Sequence, residues 1–409
     1  MTLQLRWVGE EDLDRVAETR MRCYSHAGRD LQRLELQIRA DPATRPGDFL
    51  LAERDGEAVG TATSLSMTAW VRGGALPCQG VAWVGTIKTQ RRRSADGQGI
   101  ATQVMRETLR LARQRGQVIS ALMPFRASFY EHFGYGLVER RCEWTTPLAI
   151  LPHGGFDGIR LARDSDLPEL IRFRQRTVEQ GQCDIERSEE VWKYWLKVRG
   201  EAGFVVIDRP KPDGPVHGYL SFEHQQFAMK DCLRVMQMSY ADVPALKRQL
   251  HFLASLRDQY SAAIMLLPAD LPLNLLLRET QLPHRPVNHP HAEARLDVRM
   301  QVRVLDHKRF LSAMHLPAHH KGAAVVDVNE SEGHQSRFRV EIADGRVDAM
   351  DSTASADFSC PDRVWAAIAC GDLRATTAVE LGLAESDARS AHALDALSDG
   401  PAPFCHEYF

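Results

Sequence analysis

The most informative pattern in the chain lies at residues 80–105, GVAWVGTIKTQRRRSADGQGIATQVM. It contains a strand-like run, a loop rich in arginine and glycine, and then a helix with one apolar face. That face is formed by Ile100, Val104, Met105, Thr108 and Leu111. Backbone N–H groups at a helix start lack partners, the helix dipole favours anions there, and glycines let a diphosphate approach closely. The stretch therefore predicts a phosphate-binding loop in an α/β domain.

The spacing of the glycines narrows the class of phosphate ligand. The run GQGIAT at residues 97–102 lacks the third glycine of a dinucleotide fingerprint, and the chain has no GxxxxGK[ST] loop. Among the common phosphate sites that contain such a loop, the remaining one is the coenzyme A pyrophosphate site of an acetyltransferase. The competing interpretation is an exposed basic turn that ends in a glycine cap.

Bulk composition excludes several classes of protein. A chain of 409 residues predicts two or three domains, and a formal net charge of −3 gives no sign of nucleic-acid binding. Eight cysteines without a CxxC pair indicate reduced thiols and a cytoplasmic location. The chain shows no signal pattern, no apolar run of about 18 residues and no HExxH motif. We therefore expect no membrane span and no metal.

The middle of the chain repeats the pattern of its beginning. Residues 159–176, IRLARDSDLPELIRFRQR, restate the strand, acidic turn and helix of residues 3–20, LQLRWVGEEDLDRVAETR. Further on, the break YADVP at 240–244 stands between a strand and a helix but carries no glycine. The second copy is therefore expected to keep the fold and to lack a phosphate-binding loop.

Domain boundaries follow from this repeat and from two linker-like stretches. Residues 135–146, YGLVERRCEWTT, are predicted to form the last strand of the first copy. Glycine and proline then mark residues 148–158, and proline and histidine mark residues 282–294. We expect a mixed α/β (α+β) protein with domains at residues 1–147, 148–288 and 289–409.

A second block, SFYEHFGYG at 128–136, completes a family pattern. Together with WVGTIKTQRRR (83–93), GQGIATQVM (97–105) and an aromatic last residue, it resembles the Eis-type (enhanced intracellular survival) GCN5-related N-acetyltransferases. The resemblance covers essentially the whole chain. It implies an active acetyltransferase domain, a degenerate second copy and a closing sterol-carrier-like domain. It also implies acetyl-CoA as co-substrate and assembly into homohexamers.

The resemblance assigns roles residue by residue. Tyr130 matches the family's general acid, and the terminal carboxylate of Phe409 matches its general base. Trp83 matches a bulky aromatic residue of the acceptor pocket, although plain core packing explains it equally well. The positions that match coenzyme contacts are Val84, Gly85, Thr86, Arg91, Arg92, Arg93, Gly97, Gln98, Gly99, Ile100, Ala101, Thr102, Phe125 and Arg126. The resemblance implies no metal-binding residues.

Acyl transfer to an amine requires both a proton acceptor and a proton donor, which these residue types can provide. The amine must lose a proton and the leaving thiolate must gain one. Nothing in the sequence pairs a cysteine with a histidine for a covalent acyl-enzyme, so direct attack in a ternary complex is favoured. A carboxylate base also attracts a cation, which predicts an amine acceptor of the aminoglycoside, polyamine or lysine type. The competing interpretation is purely structural: Tyr130 is an aromatic core residue, and Phe409 is a frayed chain end.

One residue departs from the family pattern. Asp96 stands where the family has Arg or Gln, and an acid beside a diphosphate would repel it. Asp96 is expected to point away and cap the helix. The departure keeps two alternatives open. One is a non-catalytic lipid-binding or interaction protein with a decayed front domain, and the other is an acyltransferase that prefers longer acyl chains.

Overall fold

The structure is a computed structural model and describes residues 3–24, 30–91, 99–282 and 290–409. The chain forms two compact units. The first comprises Met1–Val138, Arg299–Gly400 and Glu407–Phe409, and the second comprises Glu139–Val298 and Pro401–His406. The predicted boundary near residue 288 falls within 283–289, outside the described residues.

The first 138 residues fold into a twisted sheet with helices on its faces. The strands are β1 (Gln4–Val8), β2 (Phe49–Arg54), β3 (Glu57–Val71), β4 (Gly74–Thr86), β5 (Ile119–Leu122) and β6 (Gly136–Leu137). The helices are α1 (Leu13–Tyr24), α2 (Leu31–Ala40), α3 (Ile100–Gln114) and α4 (Ala127–Glu131). The dipeptide Asp55-Gly56 between two strand-like runs predicts a hairpin turn from the sequence. β2 and β3 form this hairpin, and Asp55 and Gly56 adopt the positive φ angles, 54° and 83°, that a tight turn requires.

The predicted phosphate-loop helix packs by its apolar face. Ile100, Val104 and Met105 of α3 are buried in one cluster with Val81 and Val84 of β4. Burial of such side chains contributes roughly 1.5–3 kcal/mol each relative to an exposed position. The helix start is thereby fixed against the strand that precedes it.

The second unit repeats this plan. Its strands are β7 (Arg140–Pro147), β8 (Ile159–Leu161), β9 (Gln182–Ile185), β10 (Phe204–Asp208), β11 (Gly218–Phe227), β12 (Lys230–Tyr240), β13 (Ala262–Pro268) and β14 (Glu293–Val298). Its helices are α5 (Leu167–Glu179), α6 (Glu189–Ala202) and α7 (Val243–Ser255). The sheet order is β14-β7-β13-β12-β11-β10-β8, with β12 and β13 parallel, as are β4 and β5 in the first unit.

The remaining segment returns to the first unit. Its strands are β15 (Gln301–Val304), β16 (Gly322–Asn329), β17 (Gln335–Ala343), β18 (Arg346–Asp351), β19 (Phe358–Pro361) and β20 (Glu385–Ser386). Its helices are α8 (His307–Ser312), α9 (Asp362–Ala369), α10 (Ala375–Glu380) and α11 (Ala388–Leu394). β15 inserts between β5 and β6, and the other strands form a second sheet in the order β18-β17-β16-β19-β20.

The predicted last strand of the first copy, residues 135–146, is wrong as a single element. The structure divides it into β6 and β7, which belong to different units. The break lies at Val138, whose N–H donates to the carbonyl of Met300, and at Glu139, which is buried against Arg141. Long-range partners on both sides of the break therefore override the continuous strand-like pattern of the sequence.

The two glycines of the FGYG block let the segment after β15 approach closely. Gly134 has φ +79°, and a Cβ there would lie 2.2 Å from a carboxylate oxygen of Asp362 in α9. A Cβ on Gly136 would lie 1.9 Å from the carbonyl oxygen of Arg363. The obstacle at Gly136 is helix backbone, which cannot rotate away as a flexible side chain can. These glycines therefore serve packing rather than the coenzyme.

Gly136→Ala should destabilise the protein by about 1–3 kcal/mol or more, because the added methyl group overlaps backbone that is held in α9. Thermal unfolding would measure the change. The control is Gly200→Ala in α6, where an added Cβ meets nothing within 4 Å and alanine favours the helix. Equal melting temperatures for the two variants would contradict the packing role of Gly136.

Among the described residues, no helix is both long enough and apolar enough to cross a membrane.

Candidate active site

The site begins at an opening in the first sheet between β4 and β5. The two parallel strands pair from Cys78 with Ile119 to Val81 with Leu122, where β5 ends. β4 continues alone on that side to Thr86. The backbone of β4 beyond Val81 can therefore bond to a ligand that enters the opening in an extended form.

A β-bulge distorts β4 at the same place. Thr61 of β3 pairs with Gly85 and Thr63 pairs with Ala82, so two residues of β4 stand opposite one residue of β3. Trp83 has φ 54°, which is unusual for a bulky residue and redirects the strand. Strained backbone of this kind is concentrated at functional sites.

Helix α1 holds the bulge from one side. The Tyr24 hydroxyl donates a hydrogen bond to the carbonyl of Val84, and the Tyr24 ring meets Trp83 edge-on at 5.5 Å. A Cβ at Gly85 would lie 2.8 Å from Cβ of Cys23, so only glycine permits this approach. Tyr24 was not a predicted site residue, and its spacing from Trp83 in the sequence gives no hint of the contact.

A buried arginine of the same helix, Arg20, also contacts this region. The Arg20 guanidinium stands 4.7 Å from the centre of the Trp83 ring and donates to Thr63 Oγ1 at 2.6 Å. Burial lowers the pKa of Arg20 to about 9. The guanidinium and Tyr24 together fix the Trp83 ring, which remains 36% exposed and available to a ligand.

Tyr130 projects from α4 into the same apolar cluster as Val84. The residue is only 4% exposed, yet none of the described residues forms a hydrogen bond to its hydroxyl. The neighbouring phenols are engaged: Tyr24 bonds Val84, and Tyr135 bonds Ser120 Oγ at 2.6 Å. A phenol hydroxyl without a partner among the described residues is a candidate for a hydrogen bond with a ligand.

The surroundings of Tyr130 keep the phenol protonated. Burial raises its pKa above the ordinary value, and the neighbouring phenols of Tyr24 and Tyr135 raise it further. The Phe125 ring meets Tyr130 edge-on at 5.7 Å and is itself 72% exposed. Tyr130 is thus a hydrogen-bond donor across the physiological pH range.

The last residue of the chain lies beside β4. An added Cβ on Gly80 would stand 3.1 Å from Cδ2 of Phe409 and 2.6 Å from Cε of Met67. The preceding Tyr408 ring lies 4.9 Å from the guanidinium carbon of Arg299. The structure therefore brings the aromatic end of the chain to the strand that carries Val84.

Residues 401–406 belong to the second unit and are firmly bonded there. Asp184 accepts hydrogen bonds from the His406 backbone N–H and Nδ1 at 2.9 and 2.8 Å, and from both Arg174 terminal nitrogens at 2.6 and 2.7 Å. The Gln237 amide donates to the His406 carbonyl at 2.8 Å. Three residues span at most about 10 Å, so the terminal carboxylate stays within roughly that distance of His406.

Asp184→Asn should both destabilise the protein and lower turnover, because Arg174 loses a buried ionic partner and His406 loses its anchor. Breaking such a pair costs about 3–5 kcal/mol. His406→Gln is the milder variant, and it should lower turnover with a smaller loss of melting temperature. Unchanged turnover in a folded His406→Gln protein would contradict a role for the anchor.

The same anchor has a defined pH dependence. Burial alone would raise the pKa of Asp184, but Arg174 and His406 lower it below its usual range. A lowered folded-state pKa gives stability that is present above the unfolded-state value, near 4, and is lost as the pH falls through the folded-state value. Acid unfolding curves of wild type and Asp184→Asn should therefore converge well below pH 4.

The predicted coenzyme residues that the structure describes lie at four places in the first unit. Val84, Gly85 and Thr86 form the free end of β4, and Gly99, Ile100, Ala101 and Thr102 form the start of α3. Arg91 is exposed just after β4, and Phe125 and Arg126 immediately precede α4. Arg92, Arg93, Asp96, Gly97 and Gln98 lie outside the described residues.

The two equivalent helices differ at their starts. Gly99 precedes α3 and has no side chain that could cap it, so among the described residues no side chain bonds the Ile100 and Ala101 N–H groups, which can meet an anion. In the second unit, the Asp242 carboxylate accepts from the Ala245 N–H and occupies that position on α7. An acidic cap would repel a diphosphate. This difference agrees with one competent copy and one degenerate copy.

Within the described part of the chain, one group can bring three metal-ligating atoms together. His319, His320 and Asp399 place such atoms within 4.8 Å of one another on the surface of the segment after β15. His320 Nε2 lies 2.6 Å from an Asp399 oxygen, a distance that a hydrogen bond between the two side chains explains. The group contains none of the residues of the β4 opening.

Comparison with known proteins gives the same domain order. The family model of the acetyltransferase (GNAT) domain matches residues 4–138, a second acetyltransferase (GNAT) domain model matches residues 183–304, and a sterol carrier protein domain model matches residues 307–406. These matches confirm the predicted fold class.

Similar proteins match most or all of the chain. An uncharacterized N-acetyltransferase of Streptomyces avermitilis is 27% identical over 401 residues, which covers 89% of each chain. A GCN5-related N-acetyltransferase from Kribbella flavida superimposes with a TM-score of 0.81 at 22% identity, over 100% of this chain and 98% of that one. Eis1 from Mycobacterium abscessus superimposes with a TM-score of 0.79 at 19% identity, over 100% of both chains.

Proposed function

Because the chain belongs to the GCN5-related N-acetyltransferase (GNAT) family and has the three-domain arrangement of its Eis-type members, we propose direct acetyl transfer from acetyl-CoA to a cationic amine in a ternary complex. The acceptors are aminoglycoside-like molecules, polyamines or lysine side chains. Tyr130 is the general acid and the Phe409 carboxylate is the general base. The domains of the proposal are residues 1–147, 148–288 and 289–409.

One observation carries this proposal. Tyr130 is buried, yet its hydroxyl lacks a partner among the described residues, and it shares a core cluster with the end of β4. The chain terminus approaches that same strand at Gly80. A buried donor and a terminal carboxylate beside one strand are the two groups that amide formation needs.

The residues present suit a thioester with a diphosphate. The backbone of β4 beyond Val81 has no pairing with β5 and can bond to the amides of an extended pantetheine arm. No side chain of the described residues caps the Ile100 and Ala101 N–H groups at the α3 start, which suits a diphosphate there. A backbone N–H in Val84–Thr86 is placed to stabilise the oxyanion that develops on the carbonyl oxygen.

Tyr130 supplies a proton to the departing sulfur. In water a phenol is a weaker acid than a thiol by about 1.5 pKa units, or roughly 2 kcal/mol. Burial raises the pKa of the phenol, and the same environment destabilises a thiolate, so the sulfur becomes more basic as well. The hydrogen bond from Tyr130 therefore strengthens as negative charge develops on sulfur.

The Phe409 carboxylate attracts and orients the ammonium form of the acceptor. An unperturbed terminal carboxylate is far less basic than an amine, so it takes the proton late or through a water molecule. Its negative charge favours cationic acceptors over neutral ones. This is the reason for the proposed acceptor class.

An acyl-enzyme route is disfavoured at the thiol next to β4. Burial raises the pKa of Cys23 to about 11, and its Sγ would lie 3.1 Å from a Cβ on Gly85. At neutral pH Cys23 is a thiol, which is a poor nucleophile. Transfer without a covalent intermediate follows.

The test is release of free thiol from acetyl-CoA in the presence of kanamycin, spermidine or a lysine peptide, measured with native full-length protein. The proposal expects turnover with at least one of these amines. Absence of turnover with all three, together with lipid binding, would support the non-catalytic alternative. Faster turnover with long-chain acyl-CoA than with acetyl-CoA would indicate that the enzyme transfers a longer acyl group in place of acetyl.

We also propose a cytoplasmic homohexamer, on the strength of the family resemblance and the scattered free cysteines. Sedimentation velocity measures the assembly directly. A monomer at micromolar concentration would contradict it.

A further inference from the structure

The first strands of the two units correspond to each other. In the first unit, Trp7 of β1 pairs with Leu50 of β2 in an antiparallel register. In the second unit, Leu161 of β8 pairs with Val206 of β10 in the same way. Residues directly opposite each other lie on one face of a sheet, and Leu50 and Val206 belong to the cores that pack against α3 and α7. Leu161 therefore occupies the position that Trp7 occupies in the first copy.

An ion pair next to these residues supports the correspondence. Arg6 of β1 pairs with Asp12, six residues further on, at 2.6 Å. Arg160 of β8 pairs with Asp166, again six residues further on, at 2.7 Å. Arg6 directly precedes the tryptophan and Arg160 directly precedes the leucine. The exchange of tryptophan for leucine is therefore a difference between two strands in equivalent positions.

The indole ring of Trp7 fills space that the leucine leaves open. Trp7 packs against the core under α3, and its Nε1 donates to Glu107 of that helix at 2.8 Å. Leu161 is smaller, and 58% of it is exposed. A cavity of about 270 Å³ in the second unit is lined by Leu161. This cavity, which we call the β8 cavity, lies at the position where the first unit holds an aromatic side chain.

The walls of the β8 cavity are aromatic. Phe204 and Phe222 line it and are stacked on each other, with ring centres 5.4 Å apart and an angle of 26° between their planes. Phe252 of α7 lies 6.0 Å from Phe222, and the Tyr260 ring is also part of the lining. Offset-stacked and edge-on contacts stabilise pairs of rings beyond the burial of their surface. These walls therefore favour a flat aromatic ligand over a saturated one.

The described residues that line the cavity offer hydrogen bonds but no unpaired charge. Arg160 is part of the lining, and both of its terminal nitrogens donate to Asp166 at 2.7 Å. Gln259 and Tyr260 supply an uncharged amide and a hydroxyl group. An ionised ligand would lose hydration here without gaining a partner of opposite charge. The lining therefore suits an uncharged molecule.

The size of the cavity suits one or two rings. Sites for drug-sized molecules usually measure about 300–1,000 Å³, and an apolar cavity of about 150 Å³ holds benzene. The β8 cavity lies between these values.

We propose that the second unit binds a small uncharged aromatic molecule of one or two fused rings in the β8 cavity, at the position that Trp7 occupies in the first unit. The residues proposed above for the coenzyme, the acceptor and catalysis all belong to the first unit. Binding in the β8 cavity therefore does not depend on acetyl transfer.

Leu161→Trp should abolish the binding of indole, because the variant supplies the same ring from its own chain. It should also raise the melting temperature, since the new side chain covers apolar surface that is open in wild type. The matched control is Leu275→Trp, at a position of the same unit that is 76% exposed and outside the cavity lining. The control should bind indole as wild type does.

Thermal unfolding and isothermal titration calorimetry of the full chain, with indole as the probe, measure both effects. Wild type and Leu275→Trp should bind indole with or without saturating acetyl-CoA. Absence of binding to wild type, undiminished binding to Leu161→Trp, or displacement of indole by acetyl-CoA would each overturn the inference.

A second variant tests the preference for a flat ring and leaves Leu161 in place. Phe204→Leu keeps an apolar side chain at a position that is 48% exposed, but it removes the ring that stacks on Phe222. It should weaken indole binding roughly threefold or more and reduce the preference of wild type for indole over cyclohexanol, a saturated ring. An unchanged preference, or a wild type that binds both probes equally, would contradict an aromatic ligand.

Discussion

Removal of the charge at the end of the chain should lower kcat by at least about 100-fold, because a positioned base typically contributes 10²- to 10⁴-fold. The sharpest variant carries a C-terminal amide on Phe409, made by semisynthesis, since it keeps the ring beside Gly80 and removes only the negative charge. Deletion of Phe409 removes the ring and moves the terminal carboxylate back by one residue, to Tyr408. Affinity for acetyl-CoA should stay within about twofold in each case.

A side-chain control separates charge from packing. Phe409→Ala keeps a terminal carboxylate but loses the ring contact with Gly80 and Met67. It should therefore retain more activity than the amide. If the amidated protein turns over at the wild-type rate and Phe409→Ala does not, the terminus packs the cleft and is not the base.

Tyr130→Phe should lower kcat by roughly 100-fold or more with little change in acetyl-CoA affinity, because the hydroxyl has no partner among the described residues to lose. The fold should survive, since the aromatic ring and its edge-on contacts with Phe129 and Tyr135 remain. Single-turnover kinetics would measure the chemical step directly.

The leaving group offers a second readout for Tyr130. An acetyl thioester of an acidic aromatic thiol needs no proton on departure, so the defect of Tyr130→Phe should shrink markedly with that donor. The matched control is Tyr135→Phe, which breaks a buried hydrogen bond to Ser120 and should lower stability while leaving kcat nearly unchanged. An equal defect with both donors would indicate a positioning role for Tyr130 rather than proton transfer.

The pH dependence has a definite sign. Since burial raises the pKa of Tyr130, its acid form persists to higher pH than in a free tyrosine. The rate should therefore show no alkaline decline from this group up to about pH 10, the ordinary value for a phenol. A pH profile of kcat would reveal a decline below that point if Tyr130 were ionising.

Local patterns predicted the parts of the fold that local physics determines. The hairpin at Asp55-Gly56 and the apolar face of α3 follow from turn chemistry and helical spacing, and both are confirmed. The absence of glycine in residues 240–244 predicts a second copy without a phosphate-binding loop. In the structure the Asp242 carboxylate caps the helix that follows, and the degeneracy of this copy stays a prediction.

Features that depend on contacts between residues far apart in the chain could not be predicted from the sequence. The bulge at Trp83, the Tyr24 bond to Val84 and the insertion of β15 between β5 and β6 join residues far apart in the chain. The site residues themselves stay predictions, because the resemblance placed Tyr130 and Phe409 but no local pattern of the chain specifies their partners. Asp184 is an example, since nothing near it indicates that it anchors the tail.

The most direct measurement is a crystal structure of the full chain with coenzyme A and an amine acceptor. The account predicts the Tyr130 hydroxyl within hydrogen-bond reach of the sulfur, and the Phe409 carboxylate within reach of the acceptor nitrogen directly or through one water, at about 2.6–3.2 Å per bond. Electron density that leads the chain terminus into open solvent, with no group of the protein facing the acceptor amine, would contradict it.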